Sequence, residues 1–244
     1  MSKKINAFHL KLIAVGAMFF NHIAHAFALQ ASHPTVYYVA LFIGFLTFPI
    51  MAFLIVEGFL YTRSKWKYAE RLLIFAFLSV LPFHYAFDVL RGQPLNWGNN
   101  IFFTLVLGLV YLIFYERYRH PIIQFILLIV FTALSFYSDW GPQGVPLIFL
   151  FYYMRTQKKR PVFPLIALLL YMSFNYWVAY YQYPGLVSIY LPLSALGILC
   201  VIPLLLSYNG ERGYSPIWVK WGFYLFYPLH LLLLFAIRFW IYGI

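Results

Sequence analysis

Charge is what this chain has least of. Only 9% of its 244 residues are Asp, Glu, Lys or Arg, and only six of those are acidic. Soluble domains carry about 25% charged and about 45–50% apolar residues, whereas here 64% are hydrophobic. One domain of this length has too little interior to hide that much apolar surface. A soluble fold is therefore excluded, and lipid is the expected solvent. Cysteine is almost absent: Cys200 stands alone, which rules out an internal disulfide and a cysteine-rich metal site. No metal is expected. The first apolar stretch lacks a small-residue cleavage site and is followed by many equally apolar ones, so it is expected to be a retained span and not a cleaved signal. Internal repeats are missing as well, which weighs against the repeat-built transporter folds.

What is present is a series of apolar segments broken by Pro, Gly and clusters of charge. They run near 9–29, 36–61, 70–88, 99–116, 121–138, 144–154, 162–181, 187–207 and 217–241. The expected fold is all-α: one integral-membrane domain over residues 1–244, a polytopic transmembrane helical bundle of about nine spans. Most segments reach the roughly 20 residues that a ~30 Å hydrocarbon core needs. The sixth, GVPLIFLFYYM, is short, and is expected either to extend into its neighbours or to form a re-entrant half-helix.

The net charge of +11 suggests nucleic acid until its distribution is seen. With the N-terminus inside, the cytoplasmic ends hold Lys3, Lys4, Lys11, Arg63, Lys65, Lys67, Arg71, Arg117, Arg119, Arg155, Lys158, Lys159, Arg160, Arg212 and Lys220. That is fifteen of seventeen basic residues, and only Arg91 and Arg238 fall outside. The asymmetry fits the positive-inside rule for nine crossings, N-terminus in and C-terminus out. Charge therefore speaks of topology, and no nucleic-acid partner is expected.

Polar residues inside greasy segments invite functional roles. MFFNHIAHAF, residues 18–27, places Asn21, His22 and His25 in an apolar run. His22 lies eleven residues beyond Lys11, or about 16 Å deeper at ~1.5 Å per residue. In the last segment His230 lies ten residues beyond Lys220, about 15 Å deep by the same rise, and follows Pro228, which can kink a helix and free carbonyls. Each histidine could instead simply bond a neighbouring helix. Glu57 is expected near the inner end of the second span, either functional or ion-paired with Arg63, Lys65 or Arg71. Asp139, in FYSDWGPQG, is a helix cap or a catalytic group. Asp88, Glu116 and Glu211 read as solvated loop or helix-end residues. Asn100 and Thr104 share a helix face and, with Gly108, suit close packing. Tyr37, Tyr38, Trp97, Tyr115, Trp140, Trp177 and Trp218 fall at segment ends, as interface anchors do.

Five stretches in order, LKLIAVGAMFFNHIAH, FPIMAFLIVEGFLYTRSKWKYAERLLIFAFLSVLPF, NNIFFTLVLGLVY, SDWGPQGVPLIFLFYYMR and FYLFYPLHLLLL, together resemble the TraX family of integral membrane proteins, named for the protein linked to N-terminal acetylation of F pilin. Two departures stand out. The family usually shows Asp-His where this chain has Asn21-His22, and acidic residues in the stretch where it has Val80 and His84. The ten residues between Lys11 and His22 are also similar to the basic-x10-His pattern of membrane acyltransferases that decorate cell-surface glycans, and the lysosomal heparan-glucosaminide acetyltransferase carries a similar Asn-His pair.

The resemblance implies a multi-pass protein of the bacterial inner membrane that transfers an acetyl group from acetyl-CoA to an acceptor. The acceptor stays open: a protein N-terminus, a peptide, a glycan or a lipid. CoA phosphates would dock on basic groups at the cytoplasmic face, drawn from Lys11, Arg63, Lys65, Lys67, Arg71, Lys158 and Lys159. His22 would act as general base, Asn21 as oxyanion donor, and His230 as acceptor-orienting residue or second acid/base, with Glu57 and Asp139 as further candidates. Cys200 has no base near it in sequence, so direct transfer is simpler than a covalent intermediate. Two other classes remain open: a proton-coupled transporter or flippase using His22, His230 and Glu57, and a non-catalytic partner of another membrane complex.

Overall fold

A computed structural model describes residues 4–243; Lys3, counted among the cytoplasmic charges, lies outside them. The described residues are helical, the nearest approach to a strand being an isolated bridge between Ile5 and Tyr208. Each of the nine apolar segments is helical, but they are not nine equal rods. Four helices are long and apolar enough to cross a membrane: Ala7–Ala26, the paired Pro34–Tyr61, Val162–Gln182 and Ile217–Tyr242. Lys65–Leu78 with Val80–Arg91 makes a fifth if a 45° bend is allowed within one span. Pro121–Leu134 and Tyr190–Leu206 are apolar but shorter. The sixth segment is longer than its apolar run suggests, because the helix Gly141–Thr156 begins in the GPQG turn and keeps Pro146 inside it. The eighth is composite, with the 3₁₀ stretch Ala195–Cys200 between two α-helical turns.

The contacts sort into two compact units, Met1–Met51 with Met154–Pro216, and Ala52–Tyr153 with Ile217–Ile244. In the first, helix Ala7–Ala26 opens with a reciprocal cap: Asn6 Oδ1 accepts His9 N–H at 3.1 Å, and Asn6 N–H faces His9 Nδ1. Its entry is tied down where Ile5 N–H donates to Ser207 O (3.1 Å) and Asn209 N–H donates to Ile5 O (2.8 Å). The helix packs on Pro34–Gly44, whose leading proline has no amide hydrogen to lose at a helix start. Thr47 donates to Ala14 O (3.3 Å), fastening the start of the next helix, Thr47–Tyr61. The 3₁₀ stretch packs against both Pro34–Gly44 and Val162–Gln182. It does so through Gly197, where any Cβ would overlap the Phe42 carbonyl.

Tyr37 and Tyr38 depart from the interface-anchor expectation. Both are buried with Ala24 and Ala40 in a small core, their rings edge to face at 5.2 Å. Their helix starts at Pro34, so they sit inside its second turn with a neighbouring helix to pack on. Trp97 and Trp218, by contrast, are exposed.

In the second unit, Lys65–Leu78 packs along Ile101–Arg117, and Pro121–Leu134 packs on the latter as well. The bend falls at Ser79, whose hydroxyl donates back to Phe75 O at 2.6 Å, a local bond that competes with a straight helix. Beyond it the chain passes through the turn Val80–Phe83, a π-helical turn at His84–Asp88 and a 3₁₀ turn at Val89–Arg91. The last helix, Ile217–Tyr242, packs against Val80–Phe83 and the π-helical turn.

Candidate functional site

The buried residues of helix Ala7–Ala26 form a stripe through Leu10, Ala14, Ala17, Met18 and His22. His22 therefore sits on the packed face of its helix and not on the lipid side. Asn21 is half-buried beside it, and its Oδ1 is enclosed without a hydrogen bond. The cause is proximity to the next helix: a Cβ added at Gly44 would lie 2.6 Å from Asn21 Cγ. Glycine there lets the Asn21 side chain lie directly on the backbone of Pro34–Gly44. His25, one turn on, stands edge to face with Tyr37 at 5.2 Å.

The other three candidate catalytic residues belong to the second unit. Glu57 is 4% exposed. His230 is buried against Phe226, its ring stacked at 4.6 Å, with Tyr227 edge-on at 5.6 Å. Its Nδ1 lies 2.7 Å from Phe226 O. A carbonyl only accepts, so Nδ1 carries the hydrogen and the lone pair of the neutral ring is on Nε2. Asp139 occupies the turn between Pro121–Leu134 and Gly141–Thr156 and is exposed as a residue. The protein crowding its carboxyl nevertheless raises the pKa to about 6, against the pull of Arg91 and with a further push from Asp88.

The basic residues expected to hold phosphate divide in the same way. Lys11, Lys158 and Lys159 lie in the first unit, and Arg63, Lys65, Lys67 and Arg71 in the second. Arg63, Lys67, Lys158 and Lys159 are exposed. Lys65 is engaged: it pairs with Glu116 and lies over the Phe59 ring. Glu116 in turn accepts the Tyr152 hydroxyl at 3.0 Å, so it is a paired group and not merely a solvated helix end. Arg71 lies over Tyr68 at 5.7 Å, and its buried Nε has no hydrogen-bond partner. An enclosed guanidinium donor without an acceptor fits an anionic oxygen such as a phosphate supplies.

On the opposite face one residue is defined more closely and one expectation is corrected. Arg238, one of the two basic residues outside the cytoplasmic set, is 2% exposed, and donates from Nη1 to Ala86 O and from Nη2 to Tyr85 O, both at 2.7 Å. Those carbonyls belong to the π-helical turn. Asp88 is not solvated. It is buried, with its Oδ2 3.4 Å from His84 Nδ1 and 3.1 Å from the Asn99 amide nitrogen. Asn99 also reaches Val80 O, while Asn100 donates to Ala76 O and to Asn99 Oδ1, and accepts Phe102 N–H. The sequence carried faint signs of this network: His and Asp four apart in HYAFD, the Asn pair, and an arginine inside an apolar helix. Among the described residues no group of three or more His, Cys, Asp or Glu could hold a metal ion.

These features define an all-helical membrane protein with ionisable side chains on packed helix faces. Sequence comparison narrows the class. The chain belongs to the TraX family, matching "TraX protein" over residues 7–238. It is also 31% identical to the "Probable fimbrial assembly protein FimC, serogroup H1" of Dichelobacter nodosus, over 96% of this chain and 97% of that protein. No solved structure matches it.

Proposed function

We propose that this chain is an acyltransferase of the bacterial inner membrane, crossing it nine times with its N-terminus inside, and that it moves an acetyl group from acetyl-CoA to an acceptor amine or hydroxyl. The similarity to a fimbrial assembly protein favours the amino-terminus of a pilin-like subunit among the possible acceptors. The observation that carries the reading is His22 on the packed face of its helix beside an enclosed, unbonded Asn21 oxygen. A buried polar atom without a partner costs free energy, on the order of 1–3 kcal/mol, and a substrate group that completes it offsets that cost.

In this reading CoA enters from the basic cytoplasmic face, where its phosphates meet either the basic groups of the second unit, Arg63, Lys65, Lys67 and Arg71, or those of the first, Lys11, Lys158 and Lys159. The thioester reaches His22, which takes a proton from the attacking group and returns one to the departing thiolate. The Asn21 amide nitrogen donates to the developing oxyanion, and its enclosed Oδ1 accepts from the attacking group; His230, Glu57 and Asp139 are the acid–base candidates of the second unit, taken by itself. A positioned general base contributes roughly 10²–10⁴-fold to rate. His22→Gln keeps a hydrogen-bonding side chain but cannot take up the proton. It is expected to abolish transfer from labelled acetyl-CoA by purified protein while CoA binding persists; wild-type turnover in this variant refutes the general-base role. The burial of three ionisable residues, His22, Glu57 and His230, favours one rival, a proton-coupled transporter. Proton flux into proteoliposomes without acetyl-CoA, lost in His22→Gln, would support that rival.

A further inference from the structure

The second unit contains an imidazole–carboxylate pair to which the acyltransferase reading assigns no task. His84 and Asp88 begin and end the π-helical turn, a conformation met mostly as single turns within helices and frequently at functional sites. The His84 Nδ1 atom is enclosed and stands 3.4 Å from Asp88 Oδ2 without completing a hydrogen bond. A proton gained by the ring would draw the two together. Asn99 holds the same carboxylate oxygen at 3.1 Å, and Asn100 holds Asn99. Arg238 grips the turn through its carbonyls.

Other charged or titratable groups face this pair. Arg91 and Asp139 interact electrostatically with each other, and Asp139 with Asp88. The Tyr227 phenol lies within the field of both carboxylates. Asn96 donates to Tyr137 O at 2.8 Å, tying the Asp139 turn to the loop that carries Asn99. Counting Arg91 and Arg238, the two carboxylates leave the cluster without net charge, the terminal nitrogens of Arg238 being held by backbone oxygens. Arg91 and Asp139 are exposed, so a cation has an approach.

Acetylation of an amine has a proton requirement that one base does not meet. The balanced reaction is R–NH3+ plus acetyl–S–CoA giving R–NH–acetyl, CoA–SH and H+. The nitrogen gives up two protons as the thioester C–S bond breaks and the C–N bond forms. One ends on the thiolate. The other must leave first, because an ammonium has no lone pair with which to attack. We propose that His84, backed by Asp88, takes this first proton, and that Asp88, Asn99 and Asp139 form the subsite where the acceptor ammonium docks. The proton passes from the ammonium nitrogen to His84 Nε2, and the imidazolium facing Asp88 later releases it to water. The inference rests on the acyltransferase reading and an amine acceptor.

The test uses the full-length protein in detergent with trialanine amide as acceptor. An α-amine of pKa about 8 is only about one-tenth neutral at pH 7, so His84→Gln is expected to lower turnover at pH 7 by about tenfold. Raising the pH to 9 should restore it, because the amine is then already neutral. A merely structural role would leave the same deficit at both pH values, and His22→Gln should show no such recovery. Without acetyl-CoA, Asp88→Asn should weaken binding of trialanine amide about tenfold in equilibrium dialysis and leave its N-acetyl form unaffected. Should that variant not fold, Asp139→Asn supplies the same comparison. Wild-type turnover in His84→Gln at pH 7, an equal deficit at both pH values, or unchanged amine binding overturns the proposal. A wild-type protein that binds the free amine selectively but transfers no acetyl sinks the acyltransferase reading and leaves the docking site standing.

Discussion

Arg238 offers a sharp test of how the second unit is held together. Its side chain is essentially enclosed and spends both terminal nitrogens on Tyr85 O and Ala86 O at 2.7 Å. Arg238→Met keeps an unbranched apolar stem and removes both donors. Each buried carbonyl deprived of its partner costs about 1–3 kcal/mol, so the pair sets a range of about 2–6. The upper end is unrealistic, because removing the arginine also removes a buried cation and its desolvation penalty. A loss of about 3 kcal/mol is the reasoned value, roughly a hundredfold in the unfolding equilibrium at 1.4 kcal/mol per tenfold. Arg238→Lys keeps the charge but has no planar fork to reach two carbonyls at once, so it should recover only part of the loss. The assay is reversible SDS unfolding in mixed micelles, followed by the fluorescence of the seven tryptophans. Hydrogen exchange over 84–91 should rise in parallel. A Met variant within a few-fold of wild type, or a Lys variant no better than Met, refutes the clamp.

Two further outcomes are expected. The protein crowding the Asp139 carboxyl raises its pKa from 3.8 to about 6, although the residue as a whole is exposed, so the folded state binds the proton more tightly than the unfolded chain does. Its contribution to stability should grow as pH falls through 6, level off below about 4, and vanish in Asp139→Asn; SDS unfolding between pH 4 and 7 that is identical in the two proteins contradicts this. For topology, a periplasmic reporter such as alkaline phosphatase fused after Ile244 should be active; a fusion active only when the reporter is a cytoplasmic one overturns the nine-crossing register.

The apolar segments were legible in the sequence because hydropathy and Pro or Gly breaks act locally. Pro34 and Pro121 stand at the first positions of their helices, and Gly92, with φ +63°, ends the turn after Asp88. What a helix touches was less legible. Arg238 bonds carbonyls more than 150 residues away in sequence, and the charge count placed it only outside the cytoplasmic set. Tyr37 and Tyr38 read as interface anchors because they stand near a segment end, and their burial depends on a neighbouring helix. Asp88 seemed solvated because the faint local signs, His84 four residues before it and the Asn99–Asn100 pair, do not show that a π-helical turn brings them together. His22 could be read better: its spacing from Leu10, Ala14 and Met18 is the spacing of one helix face.

The two departures from the family pattern make physical sense when set against these surroundings. Asn21 stands where the resemblance leads one to expect aspartate, and its side chain lies on Gly44 with Oδ1 enclosed. A carboxylate in that place would carry a desolvated charge, which is strongly unfavourable without a cation against it. The amide presents the same acceptor atom without the charge. At His84 the exchange runs the other way. An imidazole replaces an expected acid, and Asp88 four residues on supplies a carboxylate that Asn99 holds in place. With only six acidic residues in the chain, a buried carboxylate is kept here where an amide donor and an imidazole both face it. At position 21 the enclosed oxygen has no donor, and there the side chain is neutral.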